Sequence, residues 1–240
     1  LGDTVVVTWD HEGEDFIAAF DKNSGAELWR QAREEDTAWA TPLILRHNGK
    51  AQAVVSATRK IRSYDLQTGQ LIWECAGMTA NAIPTPVADD QKVYVMSGFR
   101  GNTLLAIKLG HTGDLTGSEA IAWRHDKSTP YVPSPLLHQN RLYFFSNNSG
   151  VISSFDTQSG KPIYEAERLE DFPNVYASPV AANNRIYLLS RNGTTLVLST
   201  GDKPEVLARN QLDDGFEASP ALVGNEIILR GREHLYCLAD

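Results

Sequence analysis

Ser63-Tyr64-Asp65-Leu66-Gln67-Thr68-Gly69, followed four residues on by Trp73, decides the fold of this protein. The same string stands at Ala19-Phe20-Asp21-Lys22-Asn23-Ser24-Gly25 with Trp29, and at Ser154-Phe155-Asp156-Thr157-Gln158-Ser159-Gly160 with Tyr164. Two worn copies complete the series. Ala106-Ile107-Lys108-Leu109-Gly110-His111-Thr112-Gly113 carries an insertion before Trp123, and Ser199-Thr200-Gly201 keeps only the turn. Asp bonds backbone groups two residues on, Ser or Thr does so more weakly, and Gly takes a positive φ without steric cost. The string therefore predicts a turn between two strands. The aromatic residue alternates onto the buried side of the outgoing strand, where its ring has a large apolar surface to bury. Asp21, Asp65 and Asp156, with Gly25, Gly69 and Gly160, are read as turn formers, and Trp29, Trp73, Trp123 and Tyr164 as rivets between neighbouring sheets.

A second beat runs in phase. Thr41-Pro42, Thr85-Pro86, Ser134-Pro135, Ser178-Pro179 and Ser219-Pro220 follow one another at 44, 49, 44 and 41 residues. That period belongs to four-stranded propeller blades. One unit reads as a first strand at Ser178–Ala182, a second at Arg185–Ser190, a third at Thr195–Leu198 and a fourth near Glu205–Ala208. Short Val, Ile, Leu and Tyr runs broken by Asn, Gly and Asp are the strand-and-hairpin signal. No stretch keeps a helical period, so the expectation is an all-β propeller of antiparallel four-stranded blades, one domain over residues 1–240.

Leu1–Val7 aligns with Val223–Leu229, inside a unit, and His234–Asp240 stops where a turn and fourth strand are expected. Four complete blades between two partial ones are therefore expected, as the C-terminal part of a ring of seven or eight. Formal charge is −8 and pI about 5.3, which argues against a nucleic-acid groove, since phosphate binding needs a basic surface. Apolar runs are strand-sized, and none is long enough for a membrane-spanning helix. Cys75 and Cys237 are expected to be buried, unpaired and inert, on a fourth and a third strand of different blades.

In these residues the sequence resembles the PQQ-like, or BamB-like, β-propeller repeat proteins, most nearly the secreted relatives of outer-membrane assembly factors. The likeness runs from Val5 to Leu238. It implies a periplasmic, secreted or envelope-associated protein with an export signal upstream, and a scaffold that binds a protein or peptide partner. It also implies an alternative, because the fold serves quinone-dependent oxidoreductases that hold PQQ and calcium beside two adjacent cysteines and a catalytic Asp. No Cys-Cys pair occurs in this sequence. The six histidines show no metal-ligand spacing, and an Asp that recurs on the blade period reads as structure. No catalytic, cofactor-binding or metal residue is assigned, and the balance favours a non-enzyme.

The pattern left over is a candidate partner-binding face. Arg59, Arg100, Arg191 and Arg230 are placed on the hairpins between second and third strands. Trp39, Tyr131, Tyr176 and Phe216 stand two or three places before the Ser/Thr-Pro. Both sets are expected on one face, around the mouth of a central channel, and Arg with aromatics is the composition of a binding surface. Carbohydrate or small-molecule capture at that mouth is a weaker alternative. Asn147-Asn148-Ser149 and Asn192-Gly193-Thr194 match the glycosylation sequon but read as hairpin tips.

Overall fold

All three intact strings close on their own main chain in the computed structural model, which describes residues 1–239. Asp21 Oδ1 accepts from the Asn23 and Ser24 N–H groups (3.1 and 2.8 Å) and from Ser24 Oγ (2.7 Å). Asp65 Oδ1 takes the Gln67 and Thr68 N–H groups (2.9 Å each) and Thr68 Oγ1 (3.1 Å). Asp156 Oδ1 takes Ser159 N–H (2.7 Å) and Oγ (2.6 Å). The following Gly25, Gly69 and Gly160 adopt φ of 72°, 73° and 70°, which a side chain would strain. Each turn thus forces the backbone to reverse and lays the fourth strand beside the third.

The described residues form six sheets and no helix. The molecule has two compact units, Leu1–Lys127 and Ser128 onward. The first unit opens with a three-stranded sheet: β1 (Thr4–Trp9), β2 (Asp15–Asp21) and β3 (Glu27–Arg33). Its second sheet contains β4 (Leu43–His47), β5 (Lys50–Val55), β6 (Lys60–Asp65) and β7 (Leu71–Ala76) in sequence order. The third contains β8 (Val87–Ala88), β9 (Lys92–Ser97), β10 (Thr103–Lys108) and, after the insertion, β12 (Ile121–His125). The insertion itself supplies β11 (Gly113–Asp114), which pairs parallel to β7 as a fifth strand of the preceding, otherwise antiparallel sheet. The extra residues that blur the sequence repeat therefore cover a neighbour's edge.

The second unit repeats the plan. β13 (Leu136–His138), β14 (Arg141–Phe145), β15 (Val151–Asp156) and β16 (Pro162–Arg168) make one sheet, and β17 (Val180–Ala182), β18 (Arg185–Leu189), β19 (Thr194–Ser199) and β20 (Val206–Gln211) the next. β21 (Ala221–Val223), β22 (Glu226–Arg230) and β23 (Leu235–Ala239) form a three-stranded sheet. Four complete blades flanked by two partial ones match the count expected from the repeat. In the unit read strand by strand, β17 to β20 fall on the four expected segments, with ends displaced by at most three residues.

The rivets hold adjacent sheets. Trp29 shares a cluster with Ile17 and Ala19 of its own sheet and Ala53, Val55, Tyr64 and Leu66 of the next. Its indole N–H donates to the Leu66 carbonyl at 2.9 Å, and its ring covers Gly69, where a Cβ would lie 2.7 Å from the indole. Trp73 is packed with Cys75 against Val93, Val95 and Ile107. Tyr164 joins Tyr143 and Phe145 to Ile186, Leu188 and Leu198. Truncating such a buried ring to Ala costs about 3–5 kcal/mol. Trp123 is only partly buried and meets Tyr94 of its own sheet, ring centroids 5.7 Å apart.

The Ser-Pro beat has a separate cause that its spacing did not disclose. Ser134 N–H donates to Ser178 Oγ at 2.9 Å, and Ser178 N–H donates to Ser219 Oγ at 2.9 Å. Each hydroxyl thus satisfies the main chain of the preceding sheet at the start of its first strand, where an unpaired N–H would be costly. The cysteines need one correction. Cys75 is buried, and burial, reinforced by Asp114, pushes its thiol up to about 11; Cys237 is free and exposed, on a three-stranded sheet whose β23 has no outer neighbour among the described residues.

Candidate functional site

The loop face can be traced through main-chain hydrogen bonds within each unit. In the second unit the Arg191 N–H, between β18 and β19, donates to Asn174 O of the loop leading into the same sheet (2.9 Å), and Phe216 N–H of the next lead-in returns to Arg191 O (3.1 Å). Val175 N–H meets Asn148 O at 2.8 Å, and Asn147 N–H meets Thr129 O at 3.0 Å. In the first unit Trp39 N–H donates to Ala82 O (3.0 Å), Asn81 N–H to Thr58 Oγ1 (3.0 Å) and Arg59 N–H to Glu35 Oε2 (2.8 Å). Second-to-third-strand hairpins and lead-in loops are therefore woven together, at the strand ends opposite the Asp turns. Asn147, with φ of 53°, takes the left-handed conformation that a hairpin tip favours.

The four arginines differ. Arg59 is half-exposed and paired with Asp36 (3.0 Å) and Glu34 (3.7 Å). Arg100 is exposed at φ of 53°, its guanidinium 5.2 Å above the Phe99 ring. Arg191 stacks 4.4 Å over Tyr176 and bonds Glu217. Arg230 is not in the hairpin loop: it is the last, exposed residue of β22, paired in register with Leu235. The hairpin position belongs to Arg232, which lies as far after Ser219 as Arg191 lies after Ser178, so the Ser-Pro spacing itself points to Arg232 rather than to Arg230. Arg232 reaches Glu217 Oε1 at 2.8 Å, so Glu217 holds two guanidiniums, and they keep its carboxyl below the usual range.

The aromatics divide as well. Phe216 is a correction: it is 1% exposed, packed with Ala177, Leu189 and Leu229, and offers nothing to a partner. Tyr131 and Tyr176 are partly buried. Trp39 is 54% exposed beside a cleft of about 490 Å³ lined also by Trp9, His11 and Pro42 along β1.

Two carboxylates outside the repeats build this face. The Asp214 side chain is 1% exposed and receives N–H groups from Gly215 (2.6 Å), Arg232 (3.1 Å), Glu233 (3.3 Å) and His234 (3.1 Å) and the Tyr236 hydroxyl (3.2 Å). Burial opposes its charge, yet these donors hold the carboxyl below its ordinary value. In the first unit Glu35 takes Arg62, while Arg33 forks onto Asp10 (2.7 and 2.9 Å) and donates to Tyr64 Oη (2.7 Å). Burial pushes Glu35 up. These pairs fasten β1–β3 to the second sheet.

The same residues bear on the quinone-and-calcium alternative. Among the described residues no three His, Cys, Asp or Glu side chains gather into a group that could hold a metal ion. Asp21, Asp65 and Asp156 are engaged by their own turns, and Cys75 and Cys237 lie in different units. The residues present do not make that site.

A family model described as outer membrane protein assembly factor BamB matches residues 13–240. The protein belongs to this BamB-type family of PQQ-like repeats. No curated protein matches it in sequence. Among solved structures, BamB from Moraxella catarrhalis is 14% identical with a TM-score of 0.58, over 98% of this protein and 81% of that one. The computationally designed Ika8 protein is 13% identical with a TM-score of 0.70, over 100% and 69%. A europium-containing methanol dehydrogenase is 12% identical with a TM-score of 0.62, over 88% of this protein and 50% of that enzyme. At such identities the likeness shows the BamB-type propeller fold and no activity.

Proposed function

We propose that this BamB-type protein, acting as one propeller domain over residues 1–240, is a non-catalytic scaffold of the cell envelope whose loop face docks a protein or peptide partner. The observation that carries this is the division of labour among its polar residues. The repeated acidic groups are engaged by turns, whereas the hairpin loops display Arg100 in the first unit and Arg191 in the second, with their guanidiniums held over Phe99 and Tyr176. Arg and aromatic residues held in place before binding are the makings of an interface hot spot. Family membership supports the envelope location, and among the described residues no helix is long and apolar enough to cross a membrane.

A photo-crosslinking residue at position 100 or 176, in cells, should give one covalent adduct. The same residue at position 23 or 67, in the opposite turns, should give none. Equal labelling from both faces would remove the proposal. The methanol dehydrogenase likeness motivates one competing assay: saturable, stoichiometric binding of PQQ with calcium, accompanied by alcohol-dependent dye reduction, would replace the scaffold with an enzyme.

A further inference from the structure

We propose that Arg191 and Arg232 form a receptor for a carboxylate of a polypeptide partner, and that Glu217 holds its place in the free protein. This deepens the loop-face proposal and rests on it. The two guanidiniums come from different sheets, Arg191 from the β18–β19 hairpin and Arg232 from the β22–β23 hairpin, and both bond the same oxygen, Glu217 Oε1. Each is positioned by something other than Glu217. Arg191 lies over the Tyr176 ring at 4.4 Å. The backbone of Arg232 is fixed by Asp214 Oδ1 (3.1 Å) and by Gly215 O (2.9 Å).

A guanidinium has five N–H donors in a planar fork that matches a carboxylate. Each arginine places one on Glu217, and Arg191 Nε is enclosed without a hydrogen-bond partner among the described residues. The Arg232 side chain is 58% exposed and that of Glu217 48%. The trio therefore has donors to spare and a carboxylate that can swing away. An incoming carboxylate would exchange with Glu217 like for like, so the cost of desolvating the arginines is already met in the free state.

The net charge of these 240 residues selects the kind of partner. At −8 it repels an extended anionic surface, whether a lipid headgroup layer or nucleic acid. A single carboxylate on a peptide meets only the local guanidinium pair. That group has two sources, an Asp or Glu side chain and the terminal carboxylate of a polypeptide.

Three hexapeptides separate them: an acidic one with an amidated C-terminus, a neutral one with a free C-terminus, and a neutral amidated control. Each is titrated calorimetrically into the full-length protein at low salt, with wild type, Glu217→Gln, Arg232→Gln and Arg191→Gln. Removing the internal competitor should tighten binding of at least one carboxylate-bearing peptide by about tenfold, equivalent to about 1.4 kcal/mol. The peptide that gains identifies the source. Arg232→Gln and Arg191→Gln should each abolish binding of that peptide, and the amidated neutral control should not bind any form. Unchanged or weaker affinity in Glu217→Gln, with an unaltered melting temperature, overturns the proposal. So does preferential binding of phosphatidylglycerol vesicles. If crosslinking from position 176 persists unchanged in Arg232→Gln, the docking face stands and the carboxylate receptor falls. If no adduct forms in any variant, the face itself is wrong.

Discussion

Trp29 and Trp73 occupy the same place in successive repeats, yet replacing each with Phe should cost very different amounts. The shared part is a smaller ring in a filled interface, which leaves a cavity worth on the order of 1 kcal/mol. The indole N–H groups separate the two. Trp29 donates to Leu66 O at 2.9 Å, so Phe orphans an enclosed carbonyl and loses a further ~1–3 kcal/mol. Trp73 is 1% exposed and its N–H has no hydrogen-bond partner among the described residues, so Phe removes a buried donor that is itself destabilising. The relief should offset most of the cavity term. Trp29→Phe is expected to lose about 3 kcal/mol and Trp73→Phe about 1 kcal/mol or less. Urea unfolding followed by far-ultraviolet circular dichroism, with equal m-values, measures both. The gap of about 2 kcal/mol corresponds to roughly 4–8 °C in Tm for a protein of this size. Equal losses, or a larger loss at Trp73, would refute the view that the N–H partner rather than the ring sets the strength of each rivet.

Gly25 and Gly69 share φ near 72°, but a Cβ at Gly69 meets the Trp29 indole at 2.7 Å while one at Gly25 meets nothing within 4 Å. Both Ala variants should lose the strain of a left-handed Ala, about 1 kcal/mol, and Gly69→Ala should lose at least another ~1 kcal/mol by thermal melting. Ser178→Ala removes the hydroxyl that accepts from the Ser134 N–H and should cost ~1 kcal/mol in the same assay, with Ser178→Thr restoring it. Asp214 has a depressed folded pKa, so its contribution is complete above the unfolded Asp value of about 3.9 and is lost as pH falls through the lower folded value. Hydrogen exchange at residues 232–234 should accelerate only in that acid window, and Asp214→Asn should make exchange fast at every pH. In the native protein a thiol reagent should titrate one cysteine, Cys237, because Cys75 is buried and its thiol stays protonated; two fast thiols would contradict the packing around Trp73.

The sequence by itself determined the architecture: the turn string and the Ser/Thr-Pro beat encode local chemistry that every blade must repeat, so period, strand order and rivet positions are legible in the string of residues. Turn formation depends on neighbours three or four residues apart, and the alternation that buries Trp29, Trp73 and Tyr164 depends on strand geometry alone. Which members of the loop face are usable was decided only by tertiary structure. Phe216 and Tyr176 stand three and two places before a Ser-Pro; one is buried among Ala177, Leu189 and Leu229 and the other lies under Arg191. Arg232 keeps the register of Arg191, but its meeting with Glu217 depends on Asp214, a residue that accepts from Gly215, Arg232, Glu233, His234 and Tyr236. Those contacts bridge up to 22 residues of sequence, between a lead-in loop and a hairpin that do not repeat. A pattern search finds what recurs, and the features that set one blade apart from its neighbours occur once.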